Sequence, residues 1–310
     1  MSVKMLLIFN PVAGKGEFTQ NLFEVIDRFT RKGFEVTVYP TAKARDAFDT
    51  TFERAKDFNC IVCSGGDGTL NEVVDALMLM KERPRLGYIP SGTTNDFAYT
   101  HGLETDPLIG VNSILQGDVT AIDVGRLGDE YFTYVAAFGL FTDVTYGTPQ
   151  GMKNLFGYAA YLMEGVKKLG SIRNIHCVVE CDDERIEGDF ALGMILNSKS
   201  VGGFRLPAGI TVQLDDGKFE LVLLRRVHNL AEMQEVASVL MGVGTPSSSF
   251  IVRSASRIRI TCEEPVDWSV DGEFGGSHQQ VDIEVCHRAI EIITPHKEEA
   301  GQKLTESSDR

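Results

Sequence analysis

CIVCSGGDGTLNEVVDALM, residues 60–78, carries the clearest pattern of secondary structure in this chain. Its first five residues form a run of the length and continuity expected of a strand that is buried on both faces. Three glycines and an aspartate come next. After them, apolar side chains recur at the spacing of one helix face: Leu70, Val73, Val74, Leu77 and Met78. The stretch therefore predicts a strand, a glycine loop and an amphipathic helix in direct succession.

The same succession recurs over the first third of the chain. Further strands are predicted at residues 3–9, 34–39 and 86–89. One helix is predicted from the apolar positions between Leu22 and Phe29, with Gly33 placed to end it, and a second at residues 44–58. Strands that alternate with helices predict an α/β N-terminal domain with a mostly parallel sheet and right-handed crossovers.

From about residue 131 the pattern changes to short strands separated by turns. Strand-like runs cover residues 131–138, 175–180, 190–196, 219–225, 257–262 and 281–294. Turn signals occur at residues 182–183, 216–217 and 271–272, and helical segments near residues 152–169 and 230–241. This pattern predicts a β-rich antiparallel sandwich-like C-terminal domain. We place the two domains at residues 1–124 and 125–295, followed by a polar tail at residues 296–310.

Composition restricts the class of function. The 310 residues are 43% hydrophobic and carry a formal net charge of -14, with a sequence pI of about 4.9. Because a net negative charge repels phosphate backbones, we expect no nucleic-acid binding. The same charge repels anionic lipids, so any membrane contact must be local and largely apolar. The sequence has no secretory start and no apolar stretch of the ~18 residues that a spanning helix needs, so we expect a soluble, cytoplasmic protein. The oligomeric state stays open, a homodimer included.

Two of the six cysteines have a C-x-x-C spacing that could indicate zinc. Cys60 and Cys63 lie within the predicted buried strand, and the sequence has no second C-x-x-C pair or paired histidine cluster to complete a site. We therefore interpret both cysteines as small buried hydrophobic residues.

Three glycine-containing loops each follow a predicted strand of the first domain. They begin at Asn10, Gly65 and Pro90. Because the carboxyl ends of the strands line the ligand crevice of an open α/β sheet, the three loops should meet. Glycine lets main-chain N–H groups approach phosphate oxygens, and the helix after Gly65 presents its N-terminus to an anion. Asp67 is out of place there unless a cation stands between its carboxylate and the phosphates, which predicts Mg²⁺.

These loops also allow other interpretations. Each loop taken singly could be an ordinary turn between strand and helix, since Gly, Asn and Asp are common turn residues. Three loops at one sheet edge favour a phosphate site instead. The chain has neither a G-x-x-x-x-G-K-[ST] motif nor a G-x-G-x-x-G motif after its first strand. The predicted site is therefore neither a Walker loop nor a dinucleotide fingerprint.

With these motifs the chain resembles the diacylglycerol kinase catalytic family. GGDGT at residues 65–69 is shared with sphingosine kinases, NAD kinases and phosphofructokinases. N-P-x-x-G at residues 10–14 and P-x-G-T-x-N-D-F-A at residues 90–98 narrow the resemblance to the lipid kinases. D-G-E at residues 271–273, in a β-rich second domain, narrows it further to proteins similar to the soluble bacterial diacylglycerol kinases. The resemblance extends from about residue 3 to residue 295.

The resemblance implies an ATP-dependent kinase that uses Mg²⁺, and it assigns residues to each role. Glu273 corresponds to the general base, with Asp67 acting on the phosphates through Mg²⁺ or water. A structural Mg²⁺ site corresponds to Gln213, Asp216 and Lys218, where Asp216 gives its carboxylate and the other two residues give main-chain carbonyls. The ATP-contacting positions correspond to Asn10, Pro11, Val12, Ala13, Gly14, Thr41, Gly66, Asp67, Gly68, Thr69, Leu70, Asn71, Glu72 and Thr93.

Some roles stay open at the level of sequence. Asp96 and Asp123 are candidates to support the acceptor site. Asp271 with Gly272 also predicts an ordinary tight hairpin, since Asp-Gly makes such turns readily. The apolar stretch at residues 155–163 is either a buried helix or part of an acyl pocket.

The acceptor implied by the resemblance is the free hydroxyl of diacylglycerol, with phosphatidate as the product. Another lipid alcohol, such as phosphatidylglycerol or a sphingoid base, stays open, as does a regulator that binds nucleotide without turnover. A lipid acceptor further implies transient contact with a membrane surface, at its inner face.

Overall fold

A computed structural model describes residues 2–140, 174–207, 209–226, 230–240 and 248–296. The chain divides into two compact units: Met1–Ile122 with Arg288–Arg310, and Asp123–His287. The helix predicted near residues 152–169, with its apolar stretch 155–163, lies outside the described residues. The tail beyond residue 296 does so too.

Four neighbouring parallel strands form most of the sheet of the first unit. In the order β2-β1-β3-β4 they are β2 (Phe34–Pro40), β1 (Val3–Phe9), β3 (Cys60–Gly65) and β4 (Arg85–Pro90). Both faces of β1 are covered: Met5, Leu7 and Phe9 pack in one cluster with helix residues, and Leu6 and Ile8 on the opposite face are fully buried. The unbroken apolar runs of these strands are thus explained by burial on both sides.

Five α-helices of the first unit connect or follow these strands. They are α1 (Glu17–Arg31), α2 (Asp46–Arg54), α3 (Asp67–Met78), α4 (Asp96–His101) and α5 (Pro107–Gln116). The last two were not predicted, although α5 carries a sequence signal. Asp106 accepts hydrogen bonds from the N–H groups of Leu108 and Ile109, and Pro107 occupies the first helical position.

The compact units divide the end of the chain differently from the predicted domains. The prediction assigned residues 288–295 to that domain, whereas the structure returns residues from Arg288 onward to the first unit. The reason is a long-range pairing: Ile292, near the end of β15 (Glu273–Thr294), pairs in parallel with Leu86 of β4. Ile293 packs against the core of the first unit. The first boundary, after Ile122, lies two residues before the predicted one.

The second unit consists mainly of antiparallel strands. The sheet order is β13-β12-β9-β7-β14-β15, with β8 paired to both β9 and β14. Helix α6 spans Leu230–Leu240. No helix among the described ranges has the length and apolarity to cross a bilayer. The strands not yet given are β5 (Asp118–Leu127), β6 (Glu130–Phe132), β7 (Val135–Gly139), β8 (Ile175–Cys181), β9 (Glu184–Leu196), β10 (Ser200–Val201), β11 (Phe204–Arg205), β12 (Phe219–Arg225), β13 (Phe250–Ala255) and β14 (Arg257–Val270).

The strand predicted at residues 131–138 is interrupted at Thr133 and Tyr134. The structure has β6 before this point and β7 after it. The main-chain N–H groups of Thr133, Tyr134 and Val135 donate to the carboxylate of Asp271 rather than continuing a regular strand. A side chain far along the sequence therefore ends one strand and begins the next.

In the core of the second unit, aromatic side chains pack directly against glycines. The Phe138 ring lies 5.0 Å, between ring centroids, from Trp268, the only tryptophan of the sequence. A Cβ atom added to Gly193 would lie 2.1 Å from the same Phe138 ring. Gly188 lies on the same strand, β9, yet a Cβ atom added there would find its nearest neighbour at 3.5 Å.

We predict that Gly193→Ala lowers the free energy of unfolding of the second unit by about 1–3 kcal/mol, because the Phe138 ring must move. The matched variant Gly188→Ala should change it by less than about 0.5 kcal/mol. Urea unfolding followed by Trp268 fluorescence measures both values. Equal midpoints for the two variants would contradict the packing described for Phe138.

Candidate active site

The three glycine loops lie together at the carboxyl end of the first-unit sheet. The N–H group of Asn10, after β1, donates to the carbonyl of Ser64 at 2.9 Å. The N–H group of Ser91, after β4, donates to the carbonyl of Gly65 at 2.8 Å. The parallel pairing of β1, β3 and β4 continues into the loops through these two bonds. The predicted meeting of the loops is therefore observed.

The loops touch through their main chains, which only glycine allows. A Cβ atom on Gly92 would lie 2.5 Å from Cα of Gly66, closer than real side chains approach. A Cβ atom on Gly14, where φ is +55°, would lie 2.1 Å from the carbonyl oxygen of Ser91. The third loop thus packs backbone against backbone on the first loop and on the second loop.

The loop at residues 90–96 is held in shape by Asn95. The Asn95 side chain accepts from the N–H group of Gly92 at 3.0 Å and donates to the Gly92 carbonyl at 2.9 Å. Asn95 itself has φ of 56°, a left-handed conformation that asparagine tolerates. Thr93 is exposed on this loop, where its hydroxyl can serve as a donor to a ligand.

Asp67 links the second loop to the third. Its carboxylate accepts from the N–H groups of Asp96 at 3.3 Å and Phe97 at 3.4 Å, in the first turn of α4. Burial, and then the charge of Asp96, raise the pKa of Asp67 to about 6, although these main-chain donors oppose the rise. Two carboxylates near a phosphate site are unfavourable without a cation, so their arrangement suits a divalent metal.

Glu72 holds the loop that carries Thr41. Its two carboxylate oxygens accept from the N–H groups of Arg45 at 2.8 Å and Ala47 at 3.1 Å. A hydrogen bond inside the same loop also stabilises it: the Asp46 carboxylate accepts from the N–H group of Ala42 at 2.7 Å. The Glu72 side chain thus positions residues 41–47, and its contact with a nucleotide stays a prediction.

The remaining predicted nucleotide positions differ in the atoms that they can present to a ligand. Leu70 is fully buried, so it can present only main-chain atoms to a ligand. The side-chain oxygen of Asn71 is buried and has no hydrogen-bond partner within the described part of the chain. Val12 is 85% exposed, and its N–H group donates to the Asn10 side chain at 3.0 Å. Cys63, at the end of β3, is buried as predicted.

Glu273 follows a tight turn in the second unit. Val270 and Glu273 pair across the β14–β15 hairpin, so Asp271 and Gly272 alone form the turn, with φ of 46° and 83°. Positive φ at both central residues is the requirement of a type I′ turn. Glu273 is exposed, and its carboxylate has no hydrogen-bond partner among the residues that the structure describes.

Residues 213–218 form a loop that is anchored on Asp123. The Asp123 carboxylate is fully buried and accepts from the N–H group of Gly217 at 2.7 Å; its own N–H group donates to Leu214. Asp216 is exposed and accepts from the N–H group of Lys218 at 3.0 Å. Within the described ranges no three His, Cys, Asp or Glu side chains converge as a metal site.

Two polar residues of the second unit were missed at the level of sequence. Glu220 is buried in the apolar strand β12; burial, and then the charge of Asp216, raise its pKa to about 7. Asn197 is buried and donates to the carbonyls of Asp123 at 2.8 Å and Thr133 at 3.3 Å. For Glu220 the signal was a lone acid in an apolar run, whereas for Asn197 nothing local marked its role.

Comparisons with known proteins agree with this architecture. Residues 4–127 match the diacylglycerol kinase catalytic domain, and residues 141–294 match the YegS C-terminal NAD kinase beta sandwich-like domain. A protein of Bacillus subtilis (strain 168) named diacylglycerol kinase is 34% identical over 299 residues, covering 96% of this chain and 97% of its own length. A diacylglycerol kinase of Staphylococcus saprophyticus is 32% identical over 301 residues, with coverages of 96% and 97%.

Solved structures share the fold. The crystal structure of a diacylglycerol kinase from Bacillus anthracis str. Sterne aligns with a TM-score of 0.75 and 23% identity, over 94% of this chain and 96% of that one. A second structure from that organism aligns with a TM-score of 0.81 and 24% identity, over 94% and 95% of the two chains. At this level of sequence identity, the structural similarity supports a shared fold and nothing more.

An α/β unit with three packed glycine loops, followed by a β-rich unit, defines the chain as a kinase with separate catalytic and sandwich-like parts. The chain belongs to the diacylglycerol kinase catalytic family. The resemblance inferred from its motifs is thereby confirmed.

The raised pKa of Asp67 predicts a pH-dependent contribution to stability. Because the folded chain protonates Asp67 more readily than the unfolded chain, this contribution falls as pH rises from about 4 to about 6. Asp67→Asn should therefore be more stable than the wild type by roughly 1–2 kcal/mol near pH 7.5, and about equal to it near pH 4. Thermal unfolding by circular dichroism measures the difference, with the exposed α2 variant Asp49→Asn as the control. A less stable Asp67→Asn protein near pH 7.5 would rule the argument out.

Proposed function

We propose that the protein is an ATP-dependent lipid kinase that transfers the γ-phosphoryl group of ATP to the free hydroxyl of diacylglycerol and forms phosphatidate. The observation that carries this proposal is the backbone contact among the three glycine loops at the carboxyl end of the first-unit sheet. The names of its relatives support the choice of diacylglycerol as acceptor.

In this proposal the first unit holds the nucleotide. Gly66 and Gly68 leave space for phosphate oxygens beside the N-terminus of α3, where the helix dipole favours negative charge. Asn10, Pro11, Val12, Ala13 and Gly14 contribute the first loop, and Thr69 and Thr93 contribute hydroxyl groups. Thr41 lies on the loop that Glu72 fixes. Leu70 and Asn71 complete the set from α3.

Asp67 and Asp96 are the residues proposed to hold Mg²⁺ beside the phosphates. Their fit is supported by the unfavourable closeness of the two carboxylates, which a cation would relieve. Mg²⁺ supplies neutralisation of the charge on the phosphate oxygens. Asp67, fixed by the N–H groups of α4, then has the role of orienting these charges rather than of moving a proton.

Glu273 is the proposed general base. Its exposed carboxylate accepts the hydroxyl proton of the acceptor as the acceptor oxygen bonds to the γ-phosphorus and the bond to the bridging oxygen of ADP breaks in line. The described contacts leave this carboxylate without a hydrogen-bond partner of its own, so it can receive a hydrogen bond from a substrate.

A second Mg²⁺ site, with a structural role, is proposed at Gln213, Asp216 and Lys218. The Asp216 carboxylate and two main-chain carbonyls are hard oxygen donors of the kind that Mg²⁺ prefers. The charge of Asp216 acts on the buried Glu220, whose oxygen Oε2 has no partner within the described residues. A cation at Asp216 would compensate both carboxylates.

Other lipid acceptors are compatible with the same nucleotide site. A kinase for phosphatidylglycerol or a sphingoid base would use the same nucleotide loops, as would a regulator without turnover. Because every acceptor considered for turnover is a lipid, the proposal includes contact with a membrane surface.

We expect labelled γ-phosphate of ATP to appear in phosphatidate when the wild type is incubated with diacylglycerol micelles and Mg²⁺. Glu273→Gln should lower kcat by about 10²- to 10⁴-fold, because a positioned general base contributes that much. Glu284→Gln serves as the control, since Glu284 is an exposed acid on the same strand that pairs with Arg126 instead.

Other outcomes of this experiment assign the acceptor. Label in phosphatidylglycerol or a sphingoid base, but not in diacylglycerol, would contradict the acceptor and keep the kinase. ATP binding without transfer to any lipid would favour the regulator. Full activity of Glu273→Gln on diacylglycerol would remove Glu273 as the base.

A further inference from the structure

Asp271, two residues before the proposed base, is not free to act as a solvent-exposed acid. It lies in the two-residue turn between β14 and β15, and its φ of 46° is the left-handed conformation that a type I′ turn requires. The Asp271 residue is 5% exposed, whereas the Glu273 side chain that follows the turn is exposed.

Four donors converge on the Asp271 carboxylate. The N–H group and the hydroxyl of Thr133 donate to Oδ2 at 2.6 and 2.9 Å. The N–H groups of Tyr134 and Val135 donate to Oδ1 at 3.0 and 2.9 Å. The N–H group of Asp271 also donates to the carbonyl of Val135 at 2.8 Å. The turn is therefore tied to residues 133–135 by five hydrogen bonds.

Burial and hydrogen bonding act on this carboxylate in opposite directions. Burial raises the pKa of Asp271, the hydrogen bonds from residues 133–135 oppose the rise, and the net pKa is about 7. A buried carboxylate is destabilising unless its acceptor positions are filled. The amino acid at position 271 is thus set by these donors and not by the turn alone, since asparagine or glycine would satisfy the turn equally well.

The other side of residues 133–135 is fixed as well. The N–H group of Asn197 donates to the carbonyl of Tyr134 at 3.0 Å, and its side chain donates to the carbonyl of Thr133. Val135 pairs with Leu196 in the centre of the sheet. The Asp271 carboxylate is consequently attached to a segment that is itself held by Asn197 and by the pairing of Val135 with Leu196.

We propose that Asp271 is a positioning residue for Glu273: its carboxylate fixes the β14–β15 turn on residues 133–135 and so holds the Glu273 carboxylate where the acceptor hydroxyl binds. This inference rests on the proposed role of Glu273 as the general base. Asp271 touches neither substrate nor phosphate in this proposal. It acts only through the main chain of the turn.

The chain offers a matched control in Asp182. It lies in the β8–β9 turn, also with positive φ (47°), and its carboxylate accepts from the N–H groups of Ser256 and Arg257 and from the Ser256 hydroxyl. Asp182 thus anchors a hairpin turn to a neighbouring segment as Asp271 does, but no acid proposed for catalysis follows it.

The test is a double-mutant cycle between Asp271→Asn and Glu273→Asp. An asparagine at position 271 keeps one acceptor oxygen and turns an amide group toward a main-chain donor, so the turn should shift. In the wild-type background we expect Asp271→Asn to lower kcat roughly 10- to 100-fold, the effect of an ångström-scale misplacement, with the KM for ATP changed less than about 2-fold. In the Glu273→Asp background, where the base is already displaced, the further loss should be less than about 3-fold.

A merely structural role gives a different pattern. Loss of folded protein would lower activity by the same factor in both backgrounds, and so would overturn the proposal. Asp182→Asn should lower kcat less than about 2-fold in either background. All assays are run well below the lowest melting temperature of the set. An unchanged kcat of a folded Asp271→Asn protein would also overturn the proposal.

A milder variant keeps the proposal testable if Asp271→Asn does not fold. Thr133→Val removes the hydroxyl donor alone and should lower kcat roughly 3-fold at unchanged KM for ATP, again only when Glu273 is intact. Full activity of Thr133→Val would then count against the positioning role. Failure of the base itself is recognised separately: if Glu273→Gln keeps full activity while Asp271→Asn loses it, Glu273 is not the base and the proposal falls with it.

Discussion

The first unit depends on one constraint, the close approach of the main chains at Gly66 and Gly92. No side chain fits between them, since a Cβ atom on Gly92 would lie 2.5 Å from Cα of Gly66. The parallel register of β3 and β4 brings the two loops side by side, and this contact lets them close. Only then can Asp67 reach the first turn of α4 and Asn95 fold back on Gly92. The phosphate site proposed here is a consequence of that closure.

Several of the acidic side chains have a structural role. In both units, carboxylates accept hydrogen bonds from main-chain N–H groups of segments distant in sequence. Each such bond fixes a loop or turn that hydrophobic packing alone would leave free, and many of these loops carry proposed site residues. The carboxylates that act in this way include Asp67, Glu72, Asp123, Asp182 and Asp271.

Local pattern was enough to predict the strands of the first unit and the meeting of their loops, because both follow from apolar runs and from parallel pairing. The local sequence pattern does not predict pairings between residues that are distant in sequence. The break at Thr133 is caused by Asp271, 138 residues later, and the return of residues 288–296 to the first unit depends on the contact of Ile292 with Leu86. The partners of the Glu72 carboxylate, Arg45 and Ala47, were not predicted either, because they lie on another loop and the sequence shows only the neighbours of Glu72 along α3.

The most direct test of the account is the affinity of the Gly92→Ala variant for a non-hydrolysable ATP analogue with Mg²⁺, measured by titration calorimetry beside the wild type. If the backbone contact between Gly66 and Gly92 builds the phosphate site, the variant should stay folded and bind the analogue at least about 10-fold more weakly, a loss of roughly 1.4 kcal/mol. A folded variant with the affinity of the wild type would contradict the claim that this contact forms the nucleotide site.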